Sequence, residues 1–595
     1  MFGEYFDAHP LTDALTRAPV RLFPPMDDRA AWEAIAPEDR ADLLALADRY
    51  RDMAYPLCTA TQFLAFARNG SRTAHENPYF QRRRKLIAAL TEHCLTGSIG
   101  ALDQVTDGLW LLCEETSWVI SAHNEGGPLP DPDKPVIDLF AAQTAMILSL
   151  TCDILARQLD GVTPMLRQRV RREVRQRVLT PFMARDDFWW MGFTRRDLCN
   201  WTPWIVSNVL ATACVWAESP AELASLTDRA LRMVDRWLDV VPEDGGCDEG
   251  AGYWNMAGGA LLDCLTFLEA MTDGRVTFWH EPRVRAILSF PQRAELPGGW
   301  FVNFADCDAR PMMAGERLQT AGERLGDAAL EAMGIAHRGM PSDQLADVPH
   351  LTRLLMRLFH PAGAAPARVG GCREVWLPDL QLRIHEADGL LLCCKGGHNG
   401  ESHNHNDVGS FMLYTEGCPA IVDAGNMTYT AKTFSDERYT LWNTRSAYHN
   451  LPLIGDCEQQ PGPEHAAKDV RPTPDGLALD MADAYGPEAG VLRACRSMTL
   501  SGAQLLLTDD IALRQERPVT WVFLLREEPR LAEGCAAFSG LRMRFDGALS
   551  PLVEEIPITD PRMARHYPGS LWRLTLTAPA SATHCQRFAI GKGAL

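Results

Sequence analysis

Between about residue 30 and residue 350, apolar side chains return at the spacing of an α-helix. Leu43, Leu46, Ala47 and Tyr50 fall at i, i+3, i+4 and i+7, with Asp42, Asp48 and Arg49 turned away, which predicts an amphipathic helix. Ala230, Val234, Trp237 and Val241 repeat the pattern, and Ser225 with Asp228 reads as a variant capping box in front of them. Further helices are predicted over 82–95, 137–155, 203–216 and 258–271, separated by punctuation such as Gly126-Gly127-Pro128 and Glu243-Asp244-Gly245-Gly246. No sequence repeat is evident, only a recurring helix-turn-helix grammar.

Past residue 361 the period shortens to two. Leu380, Leu382 and Ile384 alternate with Gln381, Arg383 and His385, and strand-like runs follow at 390–394, 410–414, 420–422, 505–507, 519–525, 541–545 and 571–576. Helices followed by strands predict an α+β chain of two domains, a helical one over 1–365 and an antiparallel β domain over 366–595. The Ala/Gly/Pro-rich stretch 361–371 is the expected linker.

Composition narrows the partners. The 595 residues are 46% apolar and 23% charged, enough for more than one buried core in a globular protein. A net charge of −19 argues against a broad grip on nucleic acid or on an anionic membrane. The stretch 139–155 is too short to span a bilayer and contains Gln143 and Asp153, so a buried helix is expected. The 17 cysteines form no Cys-x-x-Cys pair, which excludes a zinc ribbon, and their odd number points to a reducing compartment. Residues 1–25 carry Glu4, Asp7, Asp13 and Arg17 without an apolar run, so a cytoplasmic location is expected, or a periplasmic or secreted one if a leader has been removed.

The chemistry is concentrated at 396–407, where His398, His403 and His405 fall within eight residues. In an extended segment His403 and His405 project to one side and can meet one site. Asp423 ends the apolar run 420–422, and His449 precedes another. Two imidazoles and a carboxylate suit Zn2+ and also accept Mn2+, with water, substrate or His398 completing the shell. The competing reading is ordinary turn histidines and a strand-end aspartate.

Three separated blocks then appear in order: 401–411, containing Ser402-His403-Asn404-His405-Asn406-Asp407; Val422-Asp423-Ala424-Gly425; and Arg445-Ser446-Ala447-Tyr448-His449-Asn450. Together they resemble the core signature of heparinase II/III-type polysaccharide lyases. The helical half agrees through Glu115 to Trp118, His123, Asp138, Asn200-Trp201 and Asp248 to Tyr253. The resemblance covers roughly residues 100–460 and implies an N-terminal incomplete (α/α) toroid followed by a C-terminal antiparallel β-sandwich. It also implies cleavage of uronate-containing glycans by β-elimination. By it, Asn200 and His403 neutralise the uronate carboxylate, Tyr253 exchanges protons with the sugar, and Tyr429 stands where some members place a second tyrosine. His405, Asp423 and His449 match the ligands of a structural divalent cation, with Zn2+ first. Substrate contacts are expected from His123, Trp201, Arg195, Arg445, Glu249 and His398. Thr202-Pro203-Trp204 departs from relatives, which often carry another polar residue there.

The reaction needs these residue types. The C5 proton of a uronate is barely acidic until its carboxylate charge is offset, and donors aimed at that group stabilise the aci-carboxylate as an oxyanion hole would. A phenol beside them can act as base and then as acid. Two other classes stay open: a glycoside hydrolase on a helical toroid using Asp186, Asp187, Asp248 or Glu249, and a non-catalytic carbohydrate-binding protein. The expected partner is an acidic polysaccharide or oligosaccharide, glycosaminoglycans ranking first. A homodimer stays open.

Overall fold

The computed structural model describes residues 1–346, 348–363 and 373–593. The expected linker at 361–371 falls largely outside them, as does the division at 365/366. The chain forms two compact units. The first comprises Met1–Val241, Asn255–Leu288 and Met313–Arg368; the second comprises Pro242–Trp254, Ser289–Met312 and Val369–Leu595. A single cut in the sequence therefore describes the order of helices and strands, whereas the β-rich unit also takes two segments from within the helical half.

The helical unit sorts its helices by pattern. Leu139–Ile154, Trp201–Trp216 and Gly258–Met271 are buried on nearly every side, as helices apolar all round must be. Trp201–Trp216 packs on both of the others and on Pro220–Leu238, an amphipathic helix with one apolar stripe. This is the layering of an (α/α) toroid, inner helices backed by amphipathic outer ones. Among the described residues no single helix is long and apolar enough to cross a membrane. The capping expectation at Ser225 is corrected: Ser219 caps Pro220–Leu238 by accepting from Glu222 N at 3.2 Å, while Ser225 lies inside the helix and donates to the Ala221 carbonyl. Pro220 at the first helical position, where a missing N–H is harmless, fixes the earlier start.

The β-rich unit is antiparallel throughout and folds as a β-sandwich. Two long strands, Gln504–Leu525 and Ser570–Lys592, pair from Gln504 with Gly591 to Leu525 with Trp572, their register shifting between Ala512 and Val519. Burial alternates along Val491–Ser501 and the first half of Gln504–Leu525, the period of two expected when one face meets a core. That core joins Leu392, Leu413 and Ile421 to Met498, Leu507, Phe523 and Phe588.

One buried ion pair ties this core to the polar loops. Asp509 accepts from Arg496 Nε at 2.8 Å, from Arg496 Nη2 at 2.7 Å and from the Trp521 indole at 2.8 Å. Arg496 Nη1 donates to the carbonyls of Gly409 and Asn450, which flank the two histidine-bearing loops. Asp509→Ala leaves a buried guanidinium without its counter-charge. Denaturant unfolding followed by fluorescence is expected to show a loss of about 3–5 kcal/mol for the β-rich unit.

Candidate functional site

The site in the β-rich unit grows from the loop after strand Leu390–Lys395. Lys395 at the strand's end is buried and donates to Asp407 at 2.8 Å and to Glu401 at 3.0 Å, so one ammonium fixes both arms of the loop. Inside it His403 sits at φ 54°, a left-handed conformation costly for a residue with a Cβ and stored mainly at functional sites. Arg438 holds the backbone there, donating from Nη2 to the His403 carbonyl at 2.7 Å and from Nε to the Asn404 carbonyl at 2.9 Å.

The residue that organises the loop is Asp306. Its Oδ2 accepts from His403 Nδ1 at 2.9 Å, and its Oδ1 accepts from His405 Nε2 at 3.1 Å and from Arg438 Nη2 at 2.9 Å. Burial works against its charge, yet the two imidazole hydrogen bonds and the guanidinium outweigh burial and hold the carboxyl far below the usual range. His403 and His405 thus meet one centre as expected. They do so through a shared carboxylate rather than through the alternation of a strand.

Two phenol rings flank His403. Tyr253 lies with its ring centroid 4.7 Å away, and Tyr429 lies at 6.0 Å. The two phenol hydroxyls hydrogen-bond to each other, and Tyr429 Oη also accepts from Asn426 Nδ2 at 3.2 Å. Burial raises both phenols above their ordinary value; for Tyr253 the Tyr429 phenol and Glu249 add to it, and for Tyr429 Asp306 does. Glu249 Oε2 stands 3.9 Å from His403 Nε2. Burial pushes the Glu249 carboxyl up from 4.5 to about 7. For His403 burial favours the neutral ring, but the Asp306 hydrogen bond and Glu249 prevail and raise it.

Beside this group His405, Asp423 and His449 offer ligand atoms all within 4.8 Å of one another, each residue fully buried. His449 Nδ1 donates to Asp423 Oδ2 at 2.9 Å. His405 Nδ1 and His449 Nε2 have no hydrogen-bond partner. Two orphaned buried imidazole nitrogens beside an ionised carboxylate fit a divalent cation, and Asp306 on the far nitrogen of His405 is the carboxylate partner that orients a ligating imidazole. Gly425 makes the approach possible: at φ 63° a Cβ there would meet the Cys307 carbonyl oxygen at 2.3 Å, in the segment that carries Asp306.

Residues 373–547 match the family profile described as Heparinase II/III-like, C-terminal. Over those residues the β-rich unit is similar to a heparinase II/III-like C-terminal domain. The whole chain shares its fold with a heparinase III at TM-score 0.66 and 12% identity, covering 100% of this chain and 92% of that one. A heparan sulfate lyase from Pedobacter heparinus superposes at TM-score 0.57 and 12% identity over 100% and 87%. The Streptomyces coelicolor A3 chondroitin AC lyase solved with chondroitin sulphate gives 0.53 and 14% over 96% and 83%. No curated protein matches the sequence. A toroid followed by a β-sandwich is thus the architecture of this chain.

The remaining predicted residues divide. Asn200, His123, Trp201 and Arg195 belong to the helical unit. There His123 Nδ1 donates to Asp138 Oδ2 at 2.9 Å, and its ring lies 4.6 Å from Trp201, which in turn lies 5.0 Å from Trp189. Asn200 occupies the N-cap position of Trp201–Trp216 but makes no side-chain cap bond. Arg195 is paired with Asp197 and lies over Trp189. In the β-rich unit Arg445 is paired with Glu458. His398 is corrected as a completing ligand: its Nδ1 accepts from Gly400 N at 3.1 Å and it stands outside the His405–Asp423–His449 group. That bond spends Nδ1 on the ring's own loop.

Sequence reasoning missed Asp306, Arg438 and Arg562, whose guanidinium lies 5.4 Å from the Tyr429 ring and is held by Asp308 at 2.8 Å. The only signal was Asn303, Asp306 and Asp308 crowding an otherwise apolar stretch. Glu249 gives a pH test. Because its folded carboxyl binds a proton more tightly than the unfolded one, it costs stability as pH climbs from 4.5 through about 7. Glu249→Gln is expected to match the parent's stability at pH 4 and to exceed it at pH 8, by about 3 kcal/mol; thermal scans across that range check it.

Proposed function

We propose that the protein is a polysaccharide lyase that cleaves uronate-containing glycans, glycosaminoglycans first, by β-elimination to leave an unsaturated uronate. The observation that carries this is the convergence of the Tyr253–Tyr429 phenol pair on an imidazole anchored by Asp306. An imidazole raised toward its charged form suits the uronate carboxylate, whose charge must be offset before the C5 proton can leave. The resemblance gives Asn200 a share of that task.

Tyr253 then exchanges protons at C5 and O4. At Tyr253 burial, the Tyr429 phenol and Glu249 oppose phenolate, whereas at Tyr429 the Tyr253 hydroxyl, the Arg562 guanidinium and the Asn426 amide favour it. Glu249, with its carboxyl near 7, opposes phenolate least when it carries its own proton. Zn2+ is the cation the donor set favours, held by His405, Asp423 and His449, where it would fix the three loops together. The hydrolase alternative finds less support, since Asp186 and Asp187 are taken up by Arg229 and Arg185.

Purified uronides of several classes, assayed by the ultraviolet absorbance of the new C4–C5 double bond, test the reading. Tyr253→Phe is expected to lower kcat/KM by about 10^3-fold, as loss of a proton-transfer group does. Tyr429→Phe, which removes the hydroxyl that bonds to Tyr253 and accepts from Asn426, is expected to cost about tenfold. Saturated products, or full turnover by the Tyr253→Phe protein, would contradict the reading.

A further inference from the structure

Phe434 stands apart from the other aromatic side chains of the β-rich unit. At 54% exposure it is the most solvent-facing Phe, Trp or Tyr among the described residues there. It is not stranded on a loose surface. Its ring centroid lies 6.0 Å from that of His403 at an interplanar angle of 88°, and 5.0 Å from that of Tyr429 at 63°. The same phenyl therefore touches two of the three rings of the site while much of it faces water.

Its backbone is fixed from both sides. Phe434 ends the short turn Ala431–Phe434, where Thr430 N donates to Thr433 Oγ1 at 3.0 Å and Arg438 Nη1 donates to the Thr433 carbonyl at 3.1 Å. That Arg438 is the residue that also holds His403 and Asp306. The turn thus shares its anchor with the reacting imidazole, so the ring keeps a set position relative to His403.

A phenyl offers neither charge nor hydrogen bond, and its face carries a negative quadrupole that disfavours a carboxylate or sulfate lying on it. What it can bind is the C–H face of a pyranose ring. We propose that Phe434 is a stacking platform for the sugar ring next to the uronate, binding the glycan beside His403 and Tyr429 without taking part in proton transfer. This rests on the lyase reading for the identity of the reacting sugar.

Phe434→Ala, assayed on a uronide tetrasaccharide, is expected to raise KM about fivefold while kcat stays within about twofold, the range of a lost aromatic contact. Phe434→Trp restores KM, and Phe434→Leu, apolar but without a π face, falls between. An unchanged KM in Phe434→Ala overturns the proposal. So does a fall in kcat at constant KM, which marks a packing role toward His403 and Tyr429. Calorimetric binding of the same tetrasaccharide to Tyr253→Phe, with and without Phe434→Ala, reads the contact without turnover. If the parent forms no unsaturated product, the lyase reading fails, and this binding comparison still decides: about fivefold weaker binding supports the platform, and equal binding overturns it.

Discussion

Everything at the site depends on one buried carboxylate. Asp306 is almost fully removed from water, and an isolated charge there would be expelled or neutralised. It persists because three donors from two other segments close on its two oxygens, those of His403, His405 and Arg438. A buried pair of this kind adds little net stability, but removing one partner is costly, so the geometry is enforced. The consequence is a coupling between two chemistries. His403 and His405, the latter a member of the candidate cation group, are set by the same acceptor, and Arg438 pins the backbone between them.

Around that anchor the groups are pushed apart in protonation. Asp306 is held ionised, Glu249 is lifted toward neutrality, and the two phenols keep their protons in the free protein. Burial is common to all four. What separates them is the company each keeps, since only Asp306 has cationic donors on both oxygens. Acid and base tasks are commonly assigned in this way, by placing titratable groups in environments that drive them in opposite directions.

The order of helices then strands was legible because the change of apolar period from 3.6 to 2 is a property of consecutive residues. So were His403, His405, Asp423 and His449, each inside a short polar block beside an apolar strand. Tyr253 and Tyr429 were named singly, but nothing in the spacing of residues 176 apart told of the hydrogen bond between them. Asp306 showed only as one of three polar residues in an apolar stretch, because its partners lie 97 and 99 residues away in a different segment. The same holds for the units themselves: segments 242–254 and 289–312 join the strands through contacts that no local pattern encodes, such as Ser402 N to Asp248 and Asn303 to the Asp423 carbonyl. Short-range errors had local causes, as with Ser219 displacing Ser225 and the turn that captures His398.

The most direct test replaces Asp306 by the isosteric asparagine and measures bound divalent metal and lyase turnover on the same preparation. If one carboxylate orients both imidazoles, metal affinity drops by about 10–100-fold, the usual cost of losing a ligand's carboxylate partner, and turnover drops with it. An Asp306→Asn protein that keeps the parent's metal content and its turnover would contradict the account.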